Sequence, residues 1–144
     1  MGKATEKLSS QLDDTKSITE FLHENKAAFI NKPIGDYIKS EIQKREFSKA
    51  KAIRDSGINK RYFLDILNGS KTPTRRYIIR IFLALGLELK DAQWYLNACA
   101  YPQLYSRNRA DSIIIYCFNH KLSVRECNTM LNKAGLENLG FENT

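Results

Sequence analysis

Glycine and proline are scarce, at 7 and 3 among 144 residues. A β-sandwich or barrel needs frequent turns between short strands, so this shortage argues against an all-β fold. Cysteine is scarce too. Cys99, Cys117 and Cys127 are odd in number and form no Cys-x-x-Cys pair. That leaves no basis for a disulfide framework or a zinc cluster, and a cytoplasmic protein is expected. Only two histidines occur, His23 and His120, neither in a catalytic motif. Phosphate-binding glycine loops, His-Glu-x-x-His and Gly-x-Ser-x-Gly are all missing, so no enzyme activity, cofactor or metal is expected. No apolar run approaches the roughly 20 residues that span a bilayer, and membrane contact is not expected. Met1 to Glu6 lead into no apolar stretch, so no signal peptide is expected either.

What is present suits a folded, water-exposed domain. Hydrophobic residues make up 42% and charged residues 27%, the balance of an ordinary globular chain. A chain of this length buries roughly 68–70% of its unfolded surface and needs no cross-link. The net charge is +7, and it is not spread evenly. Residues 1–33 and 91–144 each carry five basic and five acidic side chains. Residues 34–90 carry 13 basic and 6 acidic ones, so the whole excess lies there. Solubility alone does not require such clustering. It reads as an electrostatic footprint for a polyanion, against the plainer reading of a solvated helical surface.

Helix signals run along the chain with no strand-like alternation, so an all-α fold is expected. Residues 1–16 are polar and expected to be disordered. Ser17-Ile18-Thr19-Glu20 is a capping box opening a short amphipathic helix with Ile18, Phe21, Leu22 and Phe29 inward. A further helix is expected from Ile34 to about Glu46. Ser48 then caps a short helix with Ala52 and Ile53 inward, closed by Gly57. Asn59 caps the next, with Phe63, Ile66 and Leu67 as its apolar side. Asn68-Gly69-Ser70-Lys71-Thr72-Pro73 is a turn cluster. Thr74 caps a helix with Ile78, Ile81, Phe82 and Leu85 inward, ended by Gly86.

Beyond this point the sequence repeats. A shift of 35 residues lays Ile78-Ile79 on Ile113-Ile114, Leu87 on Leu122, Leu96-Asn97 on Leu131-Asn132 and Leu104 on Leu139. Residues 75–104 and 110–139 therefore read as two copies of a helical hairpin. The second is expected to bury Ile114, Phe118, Met130 and Leu131 against the first. Ser123-Val124-Arg125-Glu126 is a capping box for its last helix. Trp94, Tyr95, Tyr101 and Tyr105 read as core aromatics, and the cysteines as small buried hydrophobes.

The pair of short helices joined through Gly57 carries the functional signal. A glycine there tolerates the positive φ that lets a second helix cross the first steeply. With Gly57, the aliphatic Ile58, inward Phe63 and Ile66, the Gly69-x-x-x-Pro73 spacing and the Ala84-Leu85-Gly86 helix ending, residues 34–98 resemble the lambda-repressor-like, XRE-type helix-turn-helix family. The resemblance covers nearly half the chain. It implies a five-helix domain at 34–104, preceded by an arm with a short helix at 1–33 and followed by a helical-hairpin extension at 105–144. The extension resembles one found on small bacterial proteins of this type, through Arg107-Asn108-Arg109 and Ile113-Ile114-Ile115 to Leu122-Ser123.

The implied function is sequence-specific binding of double-stranded DNA by a transcriptional regulator, with a homodimer allowed by the apolar segment at 113–116. Lys60, Arg61 and Tyr62 would then face base edges, with Leu64 near a thymine methyl. Ser48, Asn68, Ser70, Lys71, Arg75 and Arg76 would hold the phosphate backbone. The chain departs from the family at Leu64, Asp65 and Leu67, where small, polar or acidic residues are usual or a negative charge is not. These departures support an alternative: an interaction module of the anti-defence, antitoxin or adaptor kind that offers the same helix face to a protein.

Overall fold

The computed structural model describes residues 32–142, and all of them fall in one compact unit. Seven helices and no strand occur among the described residues. They are α1 (Ile34–Lys44), α2 (Lys49–Ser56), α3 (Lys60–Leu67), α4 (Arg75–Leu85), α5 (Leu89–Ala98), α6 (Arg109–Asn119) and α7 (Val124–Lys133). The expected helix beginning at Ser17 lies outside the described residues.

Local chemistry sets most helix ends. Ser48 accepts a hydrogen bond from the Lys51 amide, and Asn59 accepts from those of Arg61 and Tyr62. Ser123 and Glu126 form the reciprocal capping box. Thr74 stands at the N-cap of α4, but its side chain accepts no hydrogen bond from that helix. Gly57 ends α2 at φ +68° and Gly86 ends α4 at the same φ, both left-handed.

Helix α4 is the centre of the fold. Residues 78–83 are buried without interruption, and α2, α5 and α7 pack around them. Such all-round burial is what an apolar helix surrounded by others shows. Its one polar side chain in that run, Arg80, is fully buried. Helix α1 lies across α3, where Gly35 lets the two backbones approach closely. The Glu41 carboxylate, also buried, accepts hydrogen bonds from Arg45 and from the Tyr95 hydroxyl, tying α1 to α5. Burial alone raises the Glu41 pKa, but the donors from Tyr95, Arg45 and Lys44 outweigh it and hold the carboxyl below its usual range.

The 35-residue repeat is visible atom by atom. Helix α5 shifted by 35 has the bounds of α7. The left-handed residues Gly86 and Ala100 correspond to Lys121 and Gly135. The Leu87 amide donates to the Phe82 carbonyl, and the Leu122 amide donates to that of Cys117. One side-chain amide recurs as well. Gln93 accepts from the Leu104 amide at 2.7 Å, and its counterpart Asn128 accepts from the Leu139 amide at 2.8 Å. Ile114, Phe118 and Leu131 are buried as expected, whereas Met130 is only partly buried, beside the Cys117 sulfur. Tyr105, expected in the core, is 58% exposed because it follows α5 in the link between the copies. Cys117 and Cys127 are buried, and Cys99 partly so.

Four ion pairs join residues on either side of the expected boundary at 104/105: Arg75–Asp111 at 3.0 Å, Arg76–Glu137 at 3.1 Å, Arg80–Glu142 at 2.9 Å and Lys121–Glu88 at 3.0 Å. Among the described residues no helix is long and apolar enough to cross a membrane.

Candidate nucleic-acid interface

Helix α3 is amphipathic, with a buried side made of Phe63, Ile66 and Leu67. Its opposite side carries Lys60 and Arg61, both exposed, with Leu64 partly buried at the edge. The Arg61 side chain is 87% exposed and lies 3.4 Å from the Asp65 carboxylate one turn on. Tyr62 leans away from that side and packs on Tyr77, ring centroids 4.9 Å apart. Burial, with Tyr77 beside it, pushes the Tyr62 phenol up, so it remains a neutral hydroxyl around pH 7.

After α3 the chain folds into a tight turn. The Asn68 Oδ1 accepts from the Ser70 amide at 2.9 Å and from the Ser70 hydroxyl at 2.7 Å. The Lys71 amide donates to the Asp65 carbonyl at 3.1 Å. Asn68 and Ser70 thus shape the turn that projects Lys71 into solvent. On the near side, the N-terminus of α2 brings Ser48 and Lys49, and α1 brings Lys39. Lys39, Lys49, Leu64, Leu67 and Asn68 line a shallow hollow of about 260 Å³. Lys39 and Lys49 are members of this face that the linear reading did not single out. Only the packing of α1 and α2 beside α3 places them next to Leu64, and no local motif signals it.

Charge on this face is incompletely neutralised. Most bases between residues 34 and 90 have an acidic neighbour: Lys39 with Asp36, Lys51 and Arg54 with Asp55, Arg61 with Asp65. Lys49, Lys60, Lys71 and Lys90 are exposed and make no ion pair among the described residues; the first three lie on or beside α3, and Lys90 lies in α5.

Two arginines of the basic segment are engaged within the fold. Arg75 does not point outward: it donates to the Pro102 and Gln103 carbonyls and pairs with Asp111 through both terminal nitrogens. A guanidinium with those partners is occupied in joining the repeat copies. Arg80, counted with the basic footprint, is fully buried. Leu67, expected on the apolar side of α3 and also weighed as an anchor for a partner, is 6% exposed and sits one turn from Phe63 on the inner side. Arg76 stays on the surface but pairs with Glu137. Among the described residues, no group of three His, Cys, Asp or Glu side chains gathers where a metal could bind.

Set against known protein families, characterised proteins and solved structures, the chain matches none.

Proposed function

We propose that residues 34–98 form a lambda-repressor-like helix-turn-helix domain and that the protein is a regulator that binds double-stranded DNA through α3. The observation that carries this reading is the group of exposed lysines without acidic partners on and beside one helix, Lys49, Lys60 and Lys71. A polyanion is the ligand such a group suits, and a short helix held outward by a left-handed glycine turn is the shape that fits a major groove. Lys60 and Arg61 stand at the front of α3, where base edges are reached. Ser48 with Lys49 on one side, and Asn68, Ser70 and Lys71 on the other, flank α3 where the two phosphate backbones would run. Arg61 must give up Asp65 to contact a base, which places its contribution at the lower end for such contacts.

The Leu64 hollow between Lys39 and Lys49 favours a second reading, an acidic protein partner with an apolar anchor. Substitutions separate the two. On DNA, Lys71→Ala is expected to weaken all sequences alike and to lower the salt slope of log K by about 0.9. Arg61→Ala is expected to cost about 1 kcal/mol and to relax preference at one base pair. Leu64→Ala is expected to change little. Fluorescence polarisation with duplex DNA across salt concentrations measures all three. A protein partner gives the opposite order, because desolvated apolar anchors dominate such interfaces and rim charges contribute little.

A further inference from the structure

Residues 139–142 run back from the second repeat copy to the turn between α2 and α3. Helix ends leave carbonyl groups without partners, and at the end of α2 two of them are taken up from elsewhere in the chain. The Arg80 Nε donates to the Ser56 carbonyl at 3.0 Å, and the Glu142 amide donates to the Gly57 carbonyl at 2.7 Å. The rest of the Arg80 guanidinium holds the same segment. It donates to the Leu139 carbonyl and meets both Glu142 carboxylate oxygens at 2.9 Å, a forked two-point pair. Phe141 lies against Gly57 in the space a side chain there would occupy, with the Arg125 guanidinium 3.9 Å from its ring centroid. Asn128 of α7 fixes the start of the segment through the Leu139 amide and the Gly140 carbonyl.

We infer that residues 139–142 are a strap that holds the α2–α3 turn and thereby sets how α3 is presented, with Arg80, Phe141 and Glu142 as its positioning residues. As a statement about ligand binding, this rests on the reading of α3 as the contacting helix. As a statement about the turn, it does not. The physical reason is that the strap and the turn share one buried cation. Arg80 cannot lose Glu142 without leaving its charge uncompensated in the core, which strongly disfavours release. The strap therefore ties the second repeat copy to the turn that carries the exposed helix, through an Arg80–Glu142 pair whose members lie 62 residues apart in sequence.

The test uses the full chain with Phe141→Ala and, separately, Glu142→Gln. Amide hydrogen exchange is followed residue by residue, and affinity for a mixed-sequence duplex by polarisation. The strap requires exchange of the amides at 57–63 to accelerate at least tenfold in both variants while α5 and α6 stay as in the parent. Phe141→Leu, which keeps an apolar cover, is expected to restore most of the protection. Duplex affinity is expected to fall three- to tenfold in the two weakening variants. Unchanged exchange at 57–63 overturns the strap. So does acceleration spread evenly over all helices, which marks a general loss of stability. If the parent protein binds no duplex, the DNA reading falls, and the exchange pattern still decides the strap.

Discussion

Gly57→Val is expected to destabilise the protein by about 4 kcal/mol, the sum of left-handed strain and overpacking. Two effects combine at this position. The backbone sits at φ +68°, where a β-branched side chain is strained, and a Cβ would stand 2.3 Å from the Phe141 ring. For a chain of this size the melting temperature should drop by roughly 15 °C. Gly86 provides the control, because it has the same φ with nothing within 4 Å of the added atom. Gly86→Ala should therefore cost only the strain, about 1 kcal/mol. The difference between Gly57→Ala and Gly86→Ala then reports the Phe141 contact. Equal losses at both positions would mean that Phe141 does not cover the turn.

Gly35→Ala is expected to destabilise by about 2 kcal/mol or more through overpacking, although alanine is the better helix former. Gly35 lies in the first turn of α1, against the end of α3. A Cβ there would stand 2.2 Å from the Ile66 carbonyl oxygen and 3.0 Å from that of Leu67. Both are backbone atoms, so no side-chain rotation relieves the contact, and α1 or α3 must move. The helix propensity gained is at most about 1 kcal/mol and does not offset this. Urea unfolding checks it: a midpoint at or above that of the parent would show that the helices do not pack so closely. The same substitution should perturb the outer side of α3, since its anchoring helix is displaced.

What could be read from the sequence is what depends on neighbours in the chain. Ser48, Asn59 and the Ser123–Glu126 pair cap their helices because each acts on an amide two or three residues away. The repeat was legible for a related reason: two stretches of similar residues make the same local turns, down to Gly86 and Lys121. The surroundings of Arg75 and Arg80 are not legible in the sequence because their partners, Asp111 and Glu142, lie 36 and 62 residues on. A lone arginine in a basic segment carries no sign of whether its counter-ion is a phosphate or a distant carboxylate. Gly35 shows no unusual φ and no turn motif, so its close approach to α3 is visible only in three dimensions. Of the candidate site, Lys60, Arg61 and Lys71 were legible as exposed bases on one helix and its turn. Lys39 and Lys49 join them only through the packing of α1 and α2.

The most direct measurement of DNA binding through α3 is a titration of isotope-labelled protein with duplex DNA, followed by backbone amide shifts at low salt. The expected result is that shifts concentrate at 48–51, 59–64 and 68–71, and that they shrink steeply as salt is raised, as counterion release requires. Shifts centred on α6 and α7 instead, or a spectrum that duplex DNA leaves unchanged, would contradict it.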